Sequence, residues 1–389
     1  MSHFKDSFIH SSARFVESSS QKVDPLVENQ HSSVVDSVFP DVRRFSPQGT
    51  AALATTVVYQ LPNSGYVHEI AIKNDFAQTT TQDVIAYPGM ACISRVLLRA
   101  GSNVLMDFDY IPAVQYMMRV IGNHTTISKL LDASGGSSVD TTSASVPNLM
   151  ALIPTFFSGL MGNKPLILHK IKDTVELEIT YRTAAQITIS GGSGAAISNS
   201  QMVVFLSDAG DNLRSSHGQE MIIQKSLDLR TFKSAAVTTG TETTLDISGV
   251  TNGLVKHLLV TCTESSDIAT SAGVDYFENK PLDTLKTQID GREETIWDDV
   301  HESELSQVIY NQGKPQSSTL GFNNIVPLTQ HTIDCKMGQR NNIGGLHSAK
   351  VNKFNLKVTH SVGANSEIGV CAVSAALYQY SNGSLLKIN

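Results

Sequence analysis

At 389 residues the chain is too long for one ordinary hydrophobic core, so two domains are expected. Charged residues make up only 17%, and Ser, Thr, Asn and Gly fill their place, a balance that favours β-rich, turn-filled structure over helices. The net charge of −7 and the lack of any Lys/Arg run exclude phosphate-backbone binding as the main function, so no sequence-specific nucleic-acid partner is expected.

Residues 1–46 form a polar arm with apolar islands at Phe4, Phe8, Ile9, Phe15 and Val16, and again at Val34, Val35, Val38 and Phe39. Phe4, Phe8 and Phe15 share a helical stripe, which suits an arm lying on its own domain or on a neighbour. The sharper alternative is an amphipathic contact with a membrane. MSHFKDSFIH has no continuous apolar core, so no signal peptide is expected, and no apolar run reaches the length of a membrane span.

Strands are expected from Thr50 onward. Leu53–Leu61 is rich in Thr, Val and Tyr, and in Tyr66–Asn74 the residues His68, Ile70 and Ile72 alternate with Val67, Glu69 and Ala71. A strand through Val96–Arg99 turns at Gly101-Ser102-Asn103 into a second strand ending near Asp109. Asp109 is placed to cap a helix whose stripe is Val114, Met117, Met118 and Ile121. Asp132–Ser145 is a long loop. The apolar stretch from Pro147 to Phe157 is broken by Pro147 and Pro154 and is expected to pack over the end of a sheet. From Thr174 to Arg182, Val175, Leu177, Ile179 and Tyr181 fall on one face, and Glu176, Glu178, Thr180 and Arg182 on the other. That period of two predicts a strand with one face on a core and one in water. A Gly/Ser loop over Ser190–Ser200 leads to a strand at Met202–Leu206, and polar residues Asp208–Gln219 read as a linker.

The second half opens with strands at Met221–Thr231 and Val255–Cys262. Leu285, Thr287 and Ile289 then reach the turn pair Asp290-Gly291, and Asp298 and Asp299 begin a helix carrying Val300, Leu305, Val308 and Ile309. Val326-Pro327-Leu328 introduces a Gly-containing connection. Phe354, Leu356 and Val358 alternate with Asn355, Lys357 and Thr359, and Glu367–Tyr380 is the final long strand before the turn at Ser381-Asn382-Gly383-Ser384. Strand, turn, helix, long loop, Pro-Leu, alternating strand and closing strand thus occur twice in one order, with Gly101 and Gly291 about 190 residues apart, a domain-sized offset. The expected fold is all-β: two tandem eight-stranded jelly-roll sandwiches with short helices in the loops, over residues 47–210 and 211–389.

The segments RVLLRAGSNVLMDFDYIPAVQYM, PTFFSGLMGNKPLILHKIKDTVELEITYR, NNIVPLTQHTIDCKMGQRNNIGGLHSAKVNKFNLKV and IGVCAVSAALYQYSNGSLLKI resemble, in that order, those of the double jelly-roll major capsid proteins. These build the shells of tailless icosahedral phages, the adenovirus hexon and the large nucleocytoplasmic DNA viruses. The chain departs from the large-virus pattern in having Gly344-Gly345-Leu346 where that family has Pro-Ser-Gly, and in being shorter. The resemblance implies a non-enzymatic virion protein, made in the host cytoplasm, whose homotrimers tile an icosahedral shell as pseudo-hexagonal blocks. Its implied partners are its own copies, neighbouring capsomers, penton or minor capsid proteins, and an internal membrane reached through the arm.

Chemistry-bearing motifs are sparse. Neither GxGxxG nor a phosphate loop occurs, and Gly191-Gly192-Ser193-Gly194-Ala195 lacks the last Gly of a nucleophile elbow. Asp298, Asp299 and Glu302, with His301 and Glu304, are the one grouping that could hold a divalent cation, although acidic residues in a first helical turn are ordinary dipole compensation. No cofactor and no catalytic residue is expected. Trp297 reads as a core anchor or an interface residue. Cys92, Cys262, Cys335 and Cys371 are scattered without a CxxC pair and read as buried free thiols. Two rivals are a double jelly-roll carbohydrate-active enzyme of the glycan-amidase kind, disfavoured by 6% aromatic content, and a minor capsid or receptor-binding spike protein, which would lack the duplication.

Overall fold

A computed structural model of the chain describes residues 38–78, 85–118, 124–136, 146–158, 164–188, 194–209, 221–251, 253–264, 282–293, 324–327, 346–347, 351–361 and 366–388. Four antiparallel sheets account for nearly all of the regular structure. The first has the order β1-β9-β3-β6, from Val38–Phe45, Ala195–Ala209, Tyr66–Gln78 and Val146–Ile153, with β7 (Leu166–Ile167) paired to the start of β3. Its companion has the order β2-β8-β4-β5, from Thr56–Gln60, Val175–Tyr181, Ile93–Ala100 and Asn103–Asp109.

The second half repeats this plan strand for strand. β10 (Ile222–Val237), β18 (Ser366–Ser381), β12 (Leu254–Glu264) and β15 (Asn324–Pro327) take the places of β1, β9, β3 and β6. β16 (Leu346–His347) pairs with the start of β12 as β7 does with β3. β11 (Thr243–Asp246), β17 (Phe354–Thr359), β13 (Thr284–Ile289) and β14 (Arg292–Glu293) repeat β2-β8-β4-β5. Only β19 (Ser384–Ile388), which extends β18, lacks a counterpart among the described residues. Even an irregularity is copied: β3 bulges against β9 between Val67 and Glu69, and β12 bulges against β18 between Val255 and His257. Bulges persist as built features of a strand, so a shared one marks equivalent positions.

Local sequence explains most of these elements. β8 alternates buried and half-buried residues along its whole length, as its period of two requires. The hairpins β13–β14 and β18–β19 turn on Asp290-Gly291 (φ 50° and 83°) and Asn382-Gly383 (φ 54° and 86°), pairs in which both residues must take positive φ.

Several expectations need correction. The first strand lies at Val38–Phe45, inside the stretch read as an arm and ahead of the expected start at Thr50. Pro40 and three charged residues hide it, and Pro is tolerated because β1 is an edge strand. The segment expected to cover a sheet end is itself β6, again an edge strand with a Pro. β9 begins at Ala195, inside the presumed Gly/Ser loop. The helix after β5 runs Tyr110–Tyr116; Asp109 occupies the cap position, but its side chain makes no capping hydrogen bond. Asp132 and Ala133 belong to a helix, His124–Ala133, and not to a loop. Arg182, placed on the wet face of its strand, is buried, its Nε donating to the Ala91 carbonyl at 3.0 Å. The helix expected from Asp298, with Trp297, lies outside the described residues, as do Ile121 and most of residues 1–46.

The apolar cores follow the sheets. One cluster fills the first sandwich with Val57, Ile70, Val96, Leu177 and Val204. A second, holding Leu258, Val260, Leu356, Val358, Val370 and Ala372, lies between the sheets of the second half. The first cluster does not stop at its own sandwich but continues into Leu229, Leu259, Cys371 and Val373. On β18, therefore, Val370 and Ala372 face their own core while Cys371 and Val373 face the first sandwich.

Candidate assembly interface: the junction of the two sandwiches

The helix Tyr110–Tyr116 carries the junction. All seven of its residues are buried, and it packs on β10, β12 and β18 as well as on its own β4 and β5. Its placement follows from the chain: β5 ends at Asp109, whose backbone N–H donates to Thr231 Oγ1 at 2.6 Å, fastening the helix start to β10. At its far end the Tyr116 hydroxyl and His257 Nδ1 are 3.4 Å apart. A Cβ on Gly369 would lie at an ordinary 3.7 Å from Pro112 of the helix but only 2.5 Å from Thr261 Oγ1 on the neighbouring strand, so a side chain there would require Thr261 to move.

Aromatic rings lock the other flank. Phe156 stacks on Tyr378 with centroids 3.7 Å apart and planes 8° from parallel, and Phe157 meets Phe156 edge-on at 5.0 Å. The Phe156 carbonyl accepts from Ser226 Oγ, and the Lys164 carbonyl from Gln224 Nε2 at 2.8 Å. The Tyr380 hydroxyl accepts from the Ile167 N–H at 3.3 Å and donates to Gln224 Oε1 at 3.0 Å. At the β18–β19 turn, Lys172 N–H donates to the Gly383 carbonyl at 2.6 Å, and Ser384 Oγ to Asp173 Oδ2 at 3.2 Å. Apolar burial of this kind supplies the driving force, and the hydrogen bonds fix the register of one sandwich on the other.

A charged cluster is buried beside these rings. Asp228 Oδ2 pairs with Arg230 Nε at 3.0 Å and with Lys387 Nζ, while the Asp228 side chain is only 1% exposed. Asp228 Oδ1 has no hydrogen-bond partner among the described residues. Burial pulls the Lys387 ammonium below its usual pKa, and the Asp228 carboxylate pushes the other way. The cluster borders a cavity of about 420 Å³ shared by the two halves, lined by Met106 and Asp107 from β5, Val250, and the three charged residues. A carboxylate this deep is tolerated because two cations meet it.

Asp298, Asp299 and Glu302 lie outside the described residues. Among those described, no three His, Cys, Asp or Glu side chains converge as a metal site would require. His68 and Glu69 are half-buried on β3, with His68 Nε2 2.8 Å from Ser207 Oγ; burial lowers the pKa of the imidazole and raises that of the carboxyl. Cys92, Cys262 and Cys371 are buried free thiols, and burial pushes the Cys92 thiol up to about 12. The junction residues were not singled out from sequence. The signal that could have found them is a short repeat: Asp41-Val42-Arg43-Arg44-Phe45 on β1 returns as Asp228-Leu229-Arg230-Thr231-Phe232 on β10.

No known family's sequence pattern matches the chain, and neither does any curated protein sequence. Solved structures do match. PBCV-1 VP54 superposes with a TM-score of 0.70 at 14% identity, covering 90% of this chain and 97% of that one. The Faustovirus major capsid protein gives 0.60 at 8% identity, covering 90% and 92%. The mavirus major capsid protein gives 0.54 at 9% identity, covering 89% and 90%. Such identities carry fold alone, and the fold they carry agrees with the strand order found above: this chain is a double jelly roll of the kind seen in those viral capsid proteins.

Proposed function

We propose that this chain is a major capsid protein whose homotrimers form pseudo-hexagonal blocks of an icosahedral shell. The observation that carries the reading is the strand-for-strand repetition of one sandwich, down to the bulge at Glu69 and His257. Two near-equivalent units in one chain, taken three times, supply six positions around an axis without six separate polypeptides. The buried junction keeps the two units at a fixed relation, which a shell tile needs and an enzyme with mobile domains does not. Superposition on the Faustovirus and mavirus major capsid proteins, over 90% and 89% of this chain, supports the same role.

In this reading the first wedge begins with β1 at Val38 and runs to about residue 210, residues 211–389 are the second, and the residues before β1 meet neighbouring capsomers, penton or minor capsid proteins, or a lipid layer beneath the shell. The protein is non-enzymatic and needs no cofactor. Native mass measurement of the full chain is expected to give three times 42.0 kDa, with hexagonal blocks in electron micrographs. A stable monomer that hydrolyses glycans overturns the proposal.

A further inference from the structure

The buried junction carries more polar chemistry than packing requires. Asp228 and Ser374 stand directly opposite each other across β10 and β18, and Tyr378 lies four residues along on the same face of β18. Asp228 Oδ1, Ser374 Oγ and the Tyr378 hydroxyl are buried, and none has a hydrogen-bond partner among the described residues. Orphaned polar atoms are costly and rare in native proteins, so three on one face call for a cause. Asp228 also lines the cavity of about 420 Å³ between the two sandwiches, and boundaries between folded units are where ligand sites concentrate.

The charges around this cavity do not cancel. Asp107 is fully engaged, since its two oxygens accept from Arg95 at 2.7 and 2.5 Å. Arg230 is not: its Nε donates to Asp228 Oδ2, and its terminal N–H groups have no acceptor among the described residues. Lys387 Nζ meets the same Oδ2. Two cations against one carboxylate leave an excess positive charge, together with an acceptor oxygen that lacks a donor. Their complement is an anion that still carries a proton. We infer that this cavity binds inorganic phosphate as hydrogen phosphate, whose bare oxygens accept from Arg230 and Lys387 and whose O–H donates to Asp228 Oδ1. Met106 and Val250 line the remaining wall and keep it apolar, which strengthens charge-assisted hydrogen bonds. Asp228 makes the site selective. At about pH 8 a phosphate monoester, with a second pKa of about 6, has no proton left to donate, and neither has sulfate, whereas inorganic phosphate keeps one. A fully deprotonated oxyanion would set a bare oxygen against the carboxylate and be repelled.

Equilibrium dialysis of the full chain against radiolabelled phosphate at about pH 8 tests the site. A single saturable phosphate per chain is expected. Arsenate, which keeps a proton as phosphate does, should displace it, and about a hundredfold excess of sulfate or glycerol phosphate should not, because the buried acceptor is then left unpaired. Asp228→Asn puts an amide N–H where the carboxylate oxygen stood, and should let sulfate compete within about tenfold of phosphate. Lys387→Met removes one of the two cations and should weaken uptake at least about tenfold. No saturable uptake, equal displacement by sulfate in the wild type, or undiminished uptake in Lys387→Met overturns the inference. Should either variant fail to fold by circular dichroism, the competition on the wild type decides alone: displacement by arsenate without displacement by sulfate supports the site, and any other pattern rejects it.

Discussion

β1 and β10 carry the same short segment, Asp, an apolar residue, Arg, a variable residue and Phe, in the same place in two copies of one sandwich. Their surroundings are opposite. On β1, Asp41 and Arg43 pair at 2.7 Å with side chains 39% and 41% exposed. On β10, Asp228 and Arg230 pair at 3.0 Å, joined by Lys387, and the Asp228 side chain is only 1% exposed. Strand sequence fixes the pairing geometry in both, but what lies on top decides its energetic weight. A charge pair in water contributes about 0–1 kcal/mol, whereas removing one partner of a buried set costs about 3–5 kcal/mol because the others lose their compensation.

Deleting each carboxylate in turn separates the two settings. Asp228→Ala leaves Arg230 and Lys387 facing each other in the junction, and should lower the unfolding free energy by about 3 kcal/mol or more in a denaturant titration. Asp41→Ala should cost under about 1 kcal/mol at the same protein concentration. Equal losses at the two sites would show that the junction does not exclude water from Asp228.

The residues next to them extend the contrast into apolar packing. Leu229→Ala empties a fully buried site under the helix Tyr110–Tyr116 and is expected to cost about 2–5 kcal/mol. The measure is the midpoint of chemical unfolding read by far-ultraviolet dichroism. A loss below about 1 kcal/mol would mean that the helix does not seal β10.

Much of this architecture was legible in the sequence where one face of a strand is wet. β8 shows it in Val175, Leu177, Ile179 and Tyr181, and the turns at Asp290-Gly291 and Asn382-Gly383 declare their hairpins through residue pairs that accept positive φ at both positions. Legibility failed where a strand has two dry faces or none. Ile368–Val373 on β18 reads as a featureless apolar run because alternate residues enter different cores, so the junction left no periodic trace. β1 was missed for the opposite reason: with Val42 exposed and Asp41, Arg43 and Arg44 around it, the strand looks like linker until its partner β9 is known. Arg182 was misplaced because alternation predicts which face a residue takes and not whether a carbonyl, here Ala91, waits there.

The smallest expected effect concerns the bulges. His68 on β3 and Lys256 on β12 occupy the extra position of the two equivalent bulges, and burial lowers the pKa of both. For a base with a folded-state pKa below its unfolded value, the two states bind protons alike above the unfolded pKa. As pH falls through that value the unfolded chain takes up the proton first, so stability is lost. For His68 the loss begins near 6.5; for Lys256 it begins near 10.5. Glu69, whose carboxyl is raised by burial above 4.5, acts with the opposite sign at lower pH, because the folded chain then holds its proton more tightly. Between about pH 7 and about pH 5 the slope should therefore carry a His68 component. Unfolding titrations of His68→Gln, which keeps a partner for Ser207 Oγ, should show a shallower fall over that interval than the wild type. Matching slopes would mean that the β3 bulge leaves the imidazole open to water, unlike its counterpart on β12.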